Sequence, residues 1–84
     1  MPTIHRAHGF RFMIYLNDHI PAHVHALGTG GEIKVVLGSG ATLPQIAWVR
    51  GDLGPRDIRL ALEEVHKRAD HMHAEWRRIH RGDM

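Results

Sequence analysis

The sequence predicts an α+β fold, a small antiparallel sheet of three to four strands packed against one long C-terminal helix, continuous or bent. Three observations predict it. Residues 10–16 alternate between apolar and polar side chains, residues 22–27 and 32–37 sort cleanly onto two faces when paired as a hairpin, and residues 58–79 carry apolar positions at helical spacing. The 84 residues make a single domain, with 1–50 as the sheet-forming half and 51–82 as the helical half.

In the first run Phe10, Phe12, Ile14 and Leu16 point one way, and Arg11, Met13, Tyr15 and Asn17 the other. Thr3 to Arg6 is a candidate short strand before it, turned back at Ala7-His8-Gly9, where glycine supplies a positive φ. In the hairpin, a loop over Gly28-Thr29-Gly30-Gly31 sets Leu27 opposite Glu32, His25 opposite Lys34 and His23 opposite Val36. Val24, Ala26, Ile33, Val35 and Leu37 then share one apolar face, and His23, His25, Leu27, Glu32, Lys34 and Val36 share the other. Gly38-Ser39-Gly40 ends the hairpin, and Ile46 to Val49 is a candidate last strand limited at its start by Pro44.

The helix opens at Gly54 as N-cap, with Pro55 at N1 and Asp57 in the first turn, where a carboxylate complements the helix dipole. Ile58, Leu62, Val65, Ala69, Met72, Trp76 and Ile79 follow in alternating steps of four and three. The pattern spans roughly 25 residues, about 38 Å at 1.5 Å per residue, and Gly82 is its expected end. That is more helix than one small sheet covers, so it either bends or projects. A projecting end would expose Trp76 and Ile79, each worth about 1.5–3 kcal/mol when buried, and would favour a homodimer through the C-terminal helix.

Composition narrows the function classes. The chain has no cysteine, which excludes disulfides and thiolate metal sites. No run approaches the ~18 apolar residues of a membrane helix, and Met1-Pro2-Thr3-Ile4 lacks the basic-then-apolar order of a signal peptide, so a cytoplasmic protein with no membrane partner is expected. The formal charge is +2, and protonating the nine histidines would add nine more charges. Such a chain suits an acidic partner or nucleic acid in mildly acid solution.

The densest chemistry lies in Asn17-Asp18-His19-Ile20-Pro21-Ala22-His23-Val24-His25. Histidine and aspartate are costly to desolvate unless paired, so the segment reads as a binding site. His23 and His25, two apart on a strand, project from one face about 7 Å apart at Cα. They form a candidate metal pair that Asp18 or His19 would complete, and a ligand set without thiolates suits zinc or another transition metal such as nickel or copper. The plainer alternative makes Asn17, Asp18 and His19 turn residues and leaves His23 and His25 exposed on the strand. A metal-independent catalytic set is also open, with Arg11, Tyr15, His23, His25, Glu32 and Lys34 on one surface, as a small ribonuclease would need; Glu32 pairing with Lys34 or His25 is its ordinary counterpart. On the helix, His66, His73 and His80 recur every seven residues beside Lys67, Arg68, Arg77, Arg78 and Arg81, a stripe that reads as a solvated flank or a basic surface.

Met1-Pro2-Thr3-Ile4, Arg6, Gly9, Arg11-Phe12, Tyr15, Asn17-Asp18-His19, Pro21 and His23-Val24-His25 together resemble a small bacterial family of uncharacterised proteins, domain of unknown function 4160. Gly31-Glu32-Ile33-Lys34, Arg56-Asp57-Ile58 and Trp76 extend the resemblance over nearly the whole chain. Leu16 stands where the family tends to have serine, Ala22 where it has a second proline, and Val35-Val36 where it has aromatics. The resemblance implies no established activity, only an association with toxin–antitoxin-like gene pairs. The leading expectation is therefore a non-catalytic interaction module engaging a cognate protein or nucleic acid. A metal-binding protein and a metal-independent ribonuclease follow as alternatives.

Overall fold

The computed structural model describes residues 3–81. Five strands, β1 (Thr3–Ala7), β2 (Phe10–Met13), β3 (His23–Leu27), β4 (Gly31–Val36) and β5 (Gln45–Gly51), precede helices α1 (Pro55–Lys67) and α2 (Ala69–His80). The strands form one antiparallel meander in sequence order. The fold is thus α+β, as expected, but with five strands rather than three to four and two helices rather than one. The fifth strand comes from the outer segments: both 3–7 and 45–51 pair with the hairpins inside them, each across one register irregularity.

The β1–β2 turn holds His8 and Gly9 both at positive φ, 55° and 80°. That is the backbone of a two-residue hairpin turn whose twist matches its strands. The central hairpin adopts the register read from the sequence, His23 opposite Val36, His25 opposite Lys34 and Leu27 opposite Glu32. Gly31 faces Gly51, and a Cβ on Gly31 would overlap the Arg50 carbonyl.

β2 stops at Met13, short of the predicted Leu16. The Asp18 N–H donates to the Tyr15 carbonyl (3.0 Å), and the Tyr15 N–H donates to Asp18 Oδ2 (2.9 Å). The aspartate side chain thereby captures a backbone donor that a longer strand would have placed in the ladder. Ile14 stays fully buried, but Leu16 turns outward at 65% exposure instead of joining Phe10 and Phe12.

The core lies between one face of the sheet and both helices. Phe12, Ile14, Val24, Ile33, Val35, Leu37, Val65 and Met72 are fully buried, each contributing about 1.5–3 kcal/mol. The helix starts as expected, with Gly54 as N-cap and Pro55 in the first turn. It breaks at Arg68, whose φ of −108° and ψ of 22° leave the helical region. No proline or glycine marks the break. Strands of four to seven residues span only about 13–23 Å, so a straight helix of that length would overrun them. Bending returns Met72 and Trp76 to the core and leaves Ile79 half-buried. Trp76, one of the two residues that pointed to a partner chain, is thus buried within the chain, while Ile79 is only partly covered. The expected end at Gly82 and the reading of Met1-Pro2 lie outside the described residues.

Candidate metal centre

β3 alternates, so Val24 and Ala26 enter the core while His23 and His25 face the opposite side of the sheet, where Trp76 reaches His23 from α2. They are not exposed there. His23 is 3% and His25 8% accessible, which overturns the reading of both as exposed strand residues. The rings sit 5.1 Å apart and are walled by aromatics: Tyr15 4.6 Å and Trp48 5.9 Å from His25, and Trp76 5.3 Å from His23. The segment between β2 and β3 folds over them and supplies Asp18. Within it the Ile20–Pro21 peptide is cis.

The hydrogen bonds orient both rings. His23 Nδ1 lies 2.8 Å from the Pro21 carbonyl, an atom that only accepts, so this nitrogen carries the proton and donates. His25 Nδ1 lies 2.9 Å from Glu32 Oε2 and donates in the same way. A neutral ring protonated at Nδ1 presents a bare lone pair at Nε2. The Nε2 atoms lie 3.3 Å (His23) and 3.4 Å (His25) from Asp18 Oδ1. The three donor atoms lie within 4.8 Å of one another. His25 Nε2 is fully buried with no hydrogen-bond partner. With both rings neutral, three acceptors converge out of water and repel one another, so either a cation or a proton on one Nε2 must lie among them.

His19 does not join this group; it is exposed and lines grooves beside Asp18. The candidate ligand set of four thus narrows to Asp18, His23 and His25 among the described residues. Asn17 lies exposed in the turn. Beside the centre a groove of about 560 Å³ opens at Asp18, walled by Ile20 and Trp76 and edged by Arg77 and His80. His80 lies against the Tyr15 carbonyl (3.2 Å) and its own-helix Trp76 carbonyl (3.0 Å), tying α2 to the covering segment.

The six residues of the metal-independent set share the His23 side of the sheet. Glu32 pairs with His25 rather than Lys34, and the Tyr15 phenol is raised above its usual value by burial, then by the Glu32 and Asp18 charges, with Arg11 opposing. Of the helical stripe, Arg68 reaches Glu64 and Arg78 pairs with Glu75, so part of its positive charge is neutralised.

Sequence reasoning missed the Pro21 carbonyl, Trp48 and Trp76 as parts of the site. Registering β5 on β4, which sets Trp48 opposite Lys34 and hence next to His25, would have found one of them. It also missed a second cluster, in which His5 and His8 reach Glu64.

A five-stranded meander backed by two helices, with an aspartate and two histidines converging at one end, defines a small α+β domain with a candidate ligand centre. The chain belongs to the family described as Domain of unknown function (DUF4160), whose model matches residues 9–77. No curated protein and no solved structure matches it.

Proposed function

We propose that the protein binds a divalent transition-metal ion, zinc by preference, through Asp18 Oδ1, His23 Nε2 and His25 Nε2. The separation of the donors supports this reading most directly. Two ligand atoms about 2.0–2.1 Å from one tetrahedral ion lie about 3.3 Å apart. The two nitrogen–oxygen distances here are 3.3 and 3.4 Å, and all three donor atoms lie within 4.8 Å of one another, so a small inward shift of the two rings would complete the fit. The outer contacts support it as well. Metal-bound imidazoles commonly donate their second N–H to a carboxylate or a backbone carbonyl, which fixes the tautomer and strengthens the ligand. Glu32 stands in that position for His25 and the Pro21 carbonyl for His23.

Three protein donors leave a coordination position open, the pattern of metal sites that take a water or a substrate. The groove at Asp18 would give that position its access. An ion bound here would supply Lewis acidity to whatever occupies the fourth site.

Calorimetric titration of untagged protein with zinc, with metal content checked by elemental analysis, tests the reading. One equivalent is expected to bind, and Asp18→Asn or His25→Ala is expected to abolish that event. His66→Ala, which removes an exposed helical imidazole, is expected to leave it unchanged. Zinc uptake that is absent, or equally weakened by His66→Ala, would refute it.

A further inference from the structure

The His23 side of the sheet carries a second pattern that the metal centre does not use. Across the strands Arg6 lies opposite Arg11, Arg11 opposite Leu27, Leu27 opposite Glu32, and Glu32 opposite Arg50. In the neighbouring row Met13, His25, Lys34 and Trp48 follow one another. Phe12, Ala26, Ile33 and Val49 alternate with these rows, and the first three are fully buried on the helix side. The cations Arg6, Arg11, Lys34 and Arg50 therefore come from four different strands onto one surface.

Cations outnumber acids there: the carboxylate in their midst, Glu32, sits across from Arg50 and accepts from His25. None of the four cations makes an ion pair among the described residues. Arg6 and Arg11 are both exposed and sit directly across from each other, an arrangement of like charges that costs stability. Such a cost is offset when a polyanion lies over the pair. α1 and α2 are different: Glu63, Asp70 and Glu75 are interspersed with their basic residues.

Two features favour nucleic acid over an acidic protein surface. The Arg50 guanidinium lies 4.2 Å from the centre of the half-buried Trp48 ring, a cation–aromatic pair at one side of the face to which a base can add. The cationic row from β1 to β5 crosses four inter-strand spacings, about 19 Å, so one extended strand can meet every cation. We infer that this face binds single-stranded nucleic acid, with phosphates on Arg6, Arg11, Lys34 and Arg50 and a base stacked at Trp48. The inference rests on these charges and on Trp48, independently of the metal reading.

The test is fluorescence anisotropy with a short, mixed-sequence, labelled single-stranded RNA, in EDTA so that no metal takes part. Binding is expected at low salt and should weaken as salt rises, with a log–log slope of about −0.7 per phosphate contacted. Arg11→Gln/Arg50→Gln should weaken binding about tenfold or more and make that slope shallower. Arg56→Gln/Arg59→Gln, an equal charge change on exposed α1 positions, should leave it within about twofold. Circular dichroism melts establish that both variants fold. The inference is overturned by no binding at low salt, by equal losses in the two variants, or by binding to polyglutamate or to the matching RNA duplex at least as tight as to the single strand.

Discussion

Two clusters in this protein use the same residue types to opposite ends. At the edge of the sheet, His5 and Arg68 aim nitrogens at Glu64 Oε2 (2.6 and 3.5 Å), and His8 lies 3.4 Å from its other oxygen. The carboxylate is surrounded by donors, and β1 is clasped to α1. Around Asp18 the order differs: each imidazole spends its Nδ1–H outward, on Pro21 or Glu32, and leaves Nε2 3.3 or 3.4 Å from a carboxylate oxygen without a hydrogen bond to it. A satisfied carboxylate makes a structural clasp. Converging acceptors make a place for a cation. The direction of the imidazole protons, more than the presence of histidine, separates the two.

The sharpest break of this comparison is His23→Ala, which removes a direct ligand. Zinc affinity should fall by at least about 100-fold in calorimetry, whereas Glu64→Gln should leave it within about twofold. Glu32→Gln comes next. It weakens the acceptor that orients His25, and losses of such outer partners run about 10–100-fold in metal affinity. A Glu32→Gln protein that binds zinc as tightly as the parent would show that the His25 orientation does not depend on this contact.

The Glu64 cluster should respond in stability. Burial works to raise its carboxyl, but the His5 bond and charge, the Arg68 bond and the Lys67 charge outweigh it, and the group sits below its ordinary value of 4.5. A carboxylate depressed in the folded state stabilises the fold fully above its unfolded value, and that stabilisation is lost as pH falls through the folded one. Glu64→Gln should therefore cost about 1–3 kcal/mol near neutral pH in urea denaturation. The difference from the parent should shrink as pH drops below 4.5. A constant difference across that range would remove ionisation as its source. The smallest effect is expected at Glu75, also lowered, chiefly by its bond with Arg78 against opposing burial. That pair lies on the helix surface, where ion pairs contribute little, so Glu75→Gln should leave Tm unmoved.

Much of the fold was legible because two periodicities governed it. The Val24/Ala26/Ile33/Val35 alternation permits a single hairpin register that keeps all four inside, and the structure adopts it. The stripe from Ile58 to Ile79 faces inward along both helices. That so long a helix bends or projects was legible from its length; the place of the break, Arg68, was not, since no local signal marks it. Leu16 misled because alternation cannot register a turn whose hydrogen bonds come from a side chain three residues away. At the site, the density of His and Asp in 17–25 marked the right segment. The choice of Asp18 over His19 depended on how that turn closes, and the walls from Trp48 and Trp76 depended on tertiary packing.

Cobalt(II) titration of the untagged protein tests the central claim most directly, because the intensity of its visible absorption reports coordination geometry. The account predicts a saturable spectrum at one equivalent, with the intensity of a tetrahedral site, reversed by zinc and absent from His23→Ala and His25→Ala. A featureless titration, or the same spectrum from both variants, would contradict it.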